Sequence, residues 1–312
     1  MNNKEKNFAS AVIYVHNAEN RIKNFLSTII KVMEQNFEHS EIICVNDFSS
    51  DNSVKVIESC CQESKDTSIS VVNMSYFHGV EYAMNAGVDL AIGDFVFEFD
   101  NTNLDFDDDV IMQVYRHSLE GYDIVSAAPE QKERFTSNLF YKVFARYSSL
   151  NYKMTSESFR VLSRRVINRI TSMNKTIPYR KALYVSCGLK TDVIKYSVKE
   201  TQYKTHDKLE SHYRSELAID SLLLFTDVGY RASMIITLIM MCLSIFVSIY
   251  SIVTYFCSDP VSGWTTTIVF LSIAFFALFG ILTIIIKYLQ LLLDMTFKRK
   301  HYSFESIVKL TK

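Results

Sequence analysis

Proline and glycine are scarce in this chain: 3 and 8 among 312 residues, too few for long disordered or glycine-rich linker tracts. Charge of one sign is missing as well. Lys and Arg number 33 against 34 Asp and Glu, a formal net charge of −1, which gives no support for nucleic-acid binding. The 6 cysteines include no C-x-x-C pair and no Cys/His cluster at zinc spacing. Cys60 and Cys61 are neighbours, and Cys44 and Cys187 sit in apolar runs, so reduced, buried thiols in a cytosolic compartment are the expectation. No glycine-rich phosphate loop follows the first apolar strand, neither G-x-G-x-x-G nor a Walker sequence. That argues against a dinucleotide site and against ordinary ATP hydrolysis. There is no internal repeat. The opening MNNKEKNFAS lacks the apolar core of a signal peptide, so the polar part of the chain is expected to stay in the cytosol.

Charge is absent locally too. Residues 233–256 and 265–286 hold no charged side chain, and each run exceeds the roughly 20 residues that a helix needs to cross a bilayer. Their link, CSDPVSGW, holds no Lys or Arg, whereas Arg214 and Arg231 precede the first run and Lys287, Lys298, Arg299 and Lys300 follow the second. The positive-inside rule then predicts a hairpin of two transmembrane helices with both termini cytosolic, and Trp264 and Tyr255 suit the outer aromatic belt. Gly280 among small residues would suit a helix contact, leaving a homo-oligomer open. Just ahead, residues 215–230 repeat apolar positions at helical spacing, as an interfacial helix on the inner leaflet or a further helix of the polar domain would.

The first hundred residues alternate short apolar runs with helical periodicity. AVIYV (11–15), EIICV (41–45), ISVVNM (69–74) and FVFEF (95–99) read as strands; residues 19–34, 53–61 and 81–90 read as helices. A βαβαβαβ order demands a parallel sheet with crossover helices, an α/β domain. Ligands of such sheets bind at the carboxyl ends of the strands. The polar clusters His16-Asn17, Asn46-Asp47 and Asp100-Asn101 fall there. Further on, DIVSAA (123–128) reads as a strand, 135–150 as an aromatic-rich amphipathic helix, and 158–170 as a strand running into a helix. ALYVSCG and VIKYSV read as closing strands.

Four segments in order, V-I-Y-V-H-N-A-E, C-V-N-D-F-S-S-D-N-S, H-G-V-E-Y-A-M-N-A-G-V-D-L-A-I-G-D and F-E-F-D-N-T, resemble glycosyltransferase family 2. The later S-F-R-V-L-S-R-R, the two apolar runs and the tail I-I-K-Y-L-Q-L-L-L-D-M-T-F-K-R-K-H-Y are similar to its polyprenyl-phosphate branch, which includes dolichyl-phosphate mannose synthases and bactoprenol glucosyltransferases. The resemblance implies a Rossmann-like GT-A fold over residues 1–210 in the cytosol, an interfacial segment at 211–231, two membrane helices within 232–290 and a cytosolic tail at 291–312. It implies transfer of a sugar from a nucleotide-sugar to a polyprenyl phosphate at the cytosolic leaflet of the cytoplasmic membrane, in making or modifying cell-envelope glycan. Inversion by direct displacement would be the family precedent, and a lipid-linked glycan is a second acceptor to consider. Only two apolar runs argue against a processive polysaccharide synthase.

Carried over position by position, Asn17 and Glu19 match the N-E-E-type turn that lines the nucleotide pocket. Asp47 matches the second acid of V-D-D-G-S, which contacts the base; Asn46 replaces the first. Asp51, a later acid of that segment, equally suits a helix cap. Asp100 matches the first Asp of D-x-D, whose Mg²⁺ or Mn²⁺ neutralises the departing diphosphate. The second position holds Thr102, so the metal set is Asp100 and Thr102, with Asp105 nearby. Asp107, Asp108 and Asp109 suit a helix start instead. The acid expected before F-R-L is Ser158, with Glu157 one residue earlier, and Arg160 matches the family's Arg, able to grip a phosphate with two parallel hydrogen bonds. The expected catalytic set is therefore Asp100, Glu157 and Arg160, and the nucleotide set Asn17, Glu19, Asp47 and Asp100. Before the first apolar run, His206 and His212 stand where Arg and Lys are expected, while Ser211 and Tyr213 keep the pattern. These departures also fit an alternative: a catalytically impaired relative acting as an assembly or regulatory partner.

Overall fold

A computed structural model describes residues 4–61, 64–130, 157–173, 179–199 and 304–309, with single helical positions between 213 and 292. Apolar residues at alternate positions make the strands. In β1 (Ala9–Val15), Ala9, Ala11, Ile13 and Val15 pack to one side and Val12 and Tyr14 to the other, all buried. The order continues α1 (Glu19–Asn36), β2 (Ser40–Asn46), α2 (Ser53–Cys60), β3 (Ser68–Met74), α3 (Val80–Leu90), β4 (Phe95–Phe99), α4 (Asp108–Leu119), β5 (Ile124–Pro129), β6 (Phe159–Ser163), α5 (Arg164–Met173), α6 (Arg180–Ser186), β7 (Thr191–Tyr196) and β8 (Phe304–Lys309).

These strands form one mixed sheet in the order β7-β5-β6-β4-β1-β2-β3-β8. β1 to β4 run parallel, as the alternation of elements demands, while β6 is antiparallel to β4 and to β5, and β8 is antiparallel to β3. Side chains of α1, α2 and α4 fill one face of the sheet; those of α3, α5 and α6 fill the other. The change of face has a topological cause. β1 leads outward to β2 and β3, and the chain then crosses back to β4 on the far side of β1. Right-handed crossovers running in opposite directions put their helices on opposite faces. The switch point therefore lies between the carboxyl ends of β1 and β4, where His16-Asn17 and Asp100 stand.

Two sequence expectations change. ALYVSCG, expected as a strand, belongs to helix α6. A short apolar run carries no periodicity that separates a strand from a buried helix. The tail at 291–312 is not wholly outside the domain, because Phe304–Lys309 forms the edge strand β8 on β3. The helix expected at 135–150 lies outside the described residues, as do most of 215–230 and of the two apolar runs. Among the described residues no helix is long and apolar enough to cross a membrane. The described positions of the second run and just beyond are helical, and among them Leu271, Leu278, Ile285, Leu289 and Leu292 carry exposed apolar side chains.

Candidate active site

At the carboxyl ends of β1 and β2 two turns lock together. Asn17 adopts a left-handed conformation with φ 44°, which asparagine tolerates. Its Oδ1 accepts from the backbone N–H of Ser50 at 2.9 Å, and its own N–H donates to Ser49 Oγ at 3.1 Å. Glu19 accepts from the N–H of Asn52 at 3.2 Å, and in return the N–H of Glu19 donates to Asp51 Oδ2 at 3.0 Å. Asp51 also accepts from Ser53 N–H at 3.0 Å, so its carboxylate serves the starts of both α1 and α2. Burial alone would raise the Asp51 carboxyl, but these bonds, led by the Ser53 hydroxyl, bring it below its ordinary value. The capping role suggested for Asp51 is what the geometry supports. Asn17 and Glu19 stand at the β1 end, with much of their polar capacity spent on holding the β2–α2 turn.

Asp47 lies deeper, fully buried. Its Oδ1 accepts from His78 N–H at 2.8 Å; its Oδ2 accepts from Gly79 N–H at 2.8 Å and from Tyr14 Oη at 3.0 Å. Burial pushes this carboxyl up, against the bonds from His78, Tyr14 and Gly79. Asp47 thus clamps the β3–α3 loop onto the sheet, and its carboxylate faces internal donors, not an open base pocket. Gly79 has φ 80°, and a Cβ there would stand 2.2 Å from the Tyr213 ring. Only glycine accommodates both that backbone and that contact. Tyr213 also meets Phe77 edge-on, with centroids 6.1 Å apart. Phe77, where the family has Asn, in turn meets the His16 ring at 4.8 Å.

Beyond the end of β4, charges crowd together. Arg160 and Arg180 are each 1% exposed. Arg160 donates through Nη2 to Asp100 Oδ2 at 2.7 Å, through Nη1 to Glu98 Oε2 at 2.8 Å, and through Nε to Glu157 Oε2 at 3.1 Å. Arg180 donates through Nη2 to Asp100 Oδ1 at 2.5 Å and through Nε to Glu81 Oε2 at 3.0 Å, and its Nη1 stands 3.0 Å from Glu98 Oε1. Tyr184 donates to Glu98 Oε1 at 2.6 Å, and its ring lies 5.4 Å from the Arg160 guanidinium carbon. Lys181 approaches Glu157 at 4.0 Å. Burial would raise the Asp100 carboxyl, but Arg160 and Arg180, with Lys181, outweigh it and hold Asp100 well below the usual carboxylate range.

The expected catalytic trio Asp100, Glu157 and Arg160 is therefore brought together. The roles differ from those carried over. Arg160 faces three carboxylates, not solvent, so gripping a substrate phosphate is not open to it in this arrangement. Glu157 reaches the cluster from just ahead of β6 and is bound by the cation it precedes. Glu81, Glu98, Arg180 and Tyr184 escaped the motif reading. Glu98 did carry a signal, a lone acid inside the apolar strand FVFEF. Asp105, in the loop ahead of α4, accepts from Tyr196 Oη at 3.0 Å, and burial raises its carboxyl. Arg21 ties this loop to the β1 turn, donating to Asn103 Oδ1 at 3.0 Å.

A divalent cation does not fit these residues. Both oxygens of Asp100 are engaged by buried guanidinium groups, Thr102 is 4% exposed, and Asp105 is turned to Tyr196. Among the described residues no three His, Cys, Asp or Glu side chains are grouped to hold a metal.

The profile described as glycosyl transferase family 2 matches residues 10–171, just over half of the chain. An uncharacterized glycosyltransferase of Synechocystis is 28% identical over 223 residues, covering 70% of this chain and 69% of the relative. A bactoprenol glucosyl transferase of Shigella phage SfV is 26% identical over 271 residues, covering 83% and 86%. Among solved structures, glucosyl-3-phosphoglycerate synthase from Mycobacterium tuberculosis, determined with Mn²⁺, uridine diphosphate and phosphoglyceric acid, is 14% identical with a TM-score of 0.48, covering 70% and 78%, too loose a likeness to bear on the site. With the match running from β1 through the Arg160 strand to α5, the chain belongs to glycosyl transferase family 2 and is a glycosyltransferase.

Proposed function

We propose that this glycosyltransferase moves a sugar from a nucleotide-diphosphate sugar to a polyprenyl phosphate at the cytosolic leaflet, anchored by the apolar runs at 233–256 and 265–286. One observation carries the reading: both flanks of the apolar runs contact one strand end. Ahead of them, Tyr213 packs on Gly79 and Phe77 just beyond β3. After them, β8 begins with Phe304 paired to Met74, the last residue of β3. A lipid acceptor keeps its tail in the bilayer and offers only its head. Runs that leave and rejoin the domain beside the ligand end of the sheet hold that head close to the site. That the two flanks touch one domain supports an even number of crossings between them, as do the positive charges at 214, 231, 287 and 298–300. The bactoprenol glucosyl transferase relative, aligned over 83% of the chain, supports the acceptor class.

The reaction is displacement at the anomeric carbon. The acceptor phosphate oxygen forms a bond to that carbon as the bond to the diphosphate breaks, and the nucleoside diphosphate leaves. A lipid phosphate is already ionised at pH 7, so no strong base is required, and Glu157 is left to position Arg160. The chain's part is orientation: the locked turns of Asn17 and Glu19 with Ser50 and Asn52 hold the donor, and the Asp47-clamped loop shapes the pocket.

The test is a panel of nucleotide-sugars against undecaprenyl phosphate in detergent, with lipid product detected by mass spectrometry. A lipid-linked sugar formed by the wild type, and reduced at least about 100-fold in Asp100→Asn, is expected. Product from a lipid-linked glycan acceptor alone would replace the polyprenyl phosphate. No binding of uridine or guanosine diphosphate by calorimetry would favour the assembly-partner alternative.

A further inference from the structure

We infer that Asp100 anchors two buried arginines and does not ligate a divalent cation, so that donor binding in this chain needs no metal. The inference rests on the donor site proposed above. It departs from the cation that the resemblance implies. Three observations carry it together. The first is commitment: each Asp100 oxygen meets a different guanidinium, Arg160 at 2.7 Å and Arg180 at 2.5 Å, and both arginines are 1% exposed. Taking the carboxylate away from a buried guanidinium leaves an uncompensated buried charge, a cost that a competing cation must overcome. The second is architecture. Glu98 lies beneath Asp100, 0% exposed, and accepts hydrogen bonds from Arg160 and Tyr184, while Arg180 Nη1 faces it as an ion pair at 3.0 Å. The arginines are gripped from two levels of β4 and by Glu157 and Glu81 at their Nε ends. The third is the missing partner. Thr102 replaces the second acid and is itself buried, and Asp105 accepts from Tyr196. A hard cation wants several oxygen ligands at short range, and among the described residues Asp100, Glu98, Glu157 and Glu81 are all already matched by the two guanidinium groups.

Permanent guanidinium charge thus stands at Asp100 where the family's metal would. Arg180 becomes a positioning residue: with Arg160 it sets the Asp100 carboxylate, the part of the cluster that retains 18% side-chain exposure toward the site.

The experiment uses the full-length protein in detergent. Mn²⁺ is titrated into the protein alone, with free Mn²⁺ read by electron paramagnetic resonance. Uridine and guanosine diphosphate binding is then measured by calorimetry in Mn²⁺ and in EDTA. No Mn²⁺ uptake at one equivalent, and nucleotide affinity equal within about threefold in the two buffers, are expected. Stoichiometric uptake that Asp100→Asn abolishes, or affinity at least tenfold weaker in EDTA, overturns the inference while leaving the donor reading intact. If neither nucleotide binds, the donor reading fails and the Mn²⁺ titration alone decides this one. Thermal unfolding gives a second readout: losing an anchor of buried arginines should lower the Asp100→Asn midpoint by about 5 °C. An unchanged or raised midpoint, as when a crowded metal ligand is removed, counts against it.

Discussion

Glu98 and Asp100 sit two residues apart on one side of β4 and reach the same two arginines, yet they differ in surroundings. Glu98 is fully buried, whereas the Asp100 side chain keeps 18% exposure. Glu98→Gln should therefore cost about 3–5 kcal/mol of unfolding free energy in urea, because it strands two guanidinium groups away from water. Asp100→Asn should cost less, since water can reach part of the vacated place. Its cost should also depend on pH. The folded Asp100 carboxyl lies well below its ordinary value, with burial opposing and Arg160 and Arg180 prevailing. Its contribution is present in full above the unfolded value near 3.9 and is lost as pH falls from there toward the depressed folded value. The difference between wild type and Asp100→Asn should stay level from about pH 5 to 8 and shrink below about pH 4. Asp100 was legible as a site residue because it ends an apolar strand. Its partners were not, since Arg180 lies 80 residues away in sequence.

Helix α6 shows why an element's type matters to the site. Arg180 and Tyr184 both reach Glu98. Four residues span about 6 Å along a helix but about 13 Å along a strand, so only the helix brings both to one carboxylate. Strand β8 was illegible for a different reason: FESIVK mixes charged, polar and apolar residues without a continuous apolar run or clean alternation, and the partner strand lies more than 200 residues earlier. Its docking continues into the site. Asn73 Nδ2 donates to Ser306 Oγ at 3.1 Å, Asn46 Nδ2 donates to Asn73 Oδ1 at 2.9 Å, and Ser49 N–H donates to Asn46 Oδ1 at 3.2 Å. Removing residues 304–312 should bare the edge of β3 and loosen that line of hydrogen bonds. The truncated protein is expected to aggregate more readily by light scattering and to bind donor nucleotide several-fold more weakly by calorimetry, whereas Ser306→Ala should keep solubility and show only a small loss of affinity.

For the molecule as a whole, the proposal to be tested is that the apolar runs at 233–256 and 265–286 anchor the sheet to a bilayer. The described flanks at Tyr213 and Phe304 belong to the same end of the same strand. On the proposed two-helix hairpin, a fluorescent protein fused after residue 312 should fluoresce, as the cytosolic side requires. Alkaline phosphatase inserted at residue 262 should be active, since its disulfides form only outside. An inactive phosphatase at 262 together with full fluorescence would mean that the runs do not cross. The parallel core β1 to β4 was legible because each strand and helix carries its own period within a dozen residues. The antiparallel additions β6 and β8 bring together segments far apart in the chain, and their pairing partners leave no local trace.

The sequence by itself determined the alternation that makes the parallel sheet, the strand ends that carry His16, Asn46, Asp47 and Asp100, and the two uncharged runs. Those depend on local periodicity and on side-chain type at a given position. Only the tertiary structure decided what the charged residues do. Whether Asp100 meets a metal or a guanidinium, whether Arg160 faces a phosphate or three carboxylates, and whether Asp47 faces a base or its own loop depend on which groups share a buried space. A charge taken out of water must be matched by whatever the fold brings beside it, and motif spacing along the chain does not specify that neighbour.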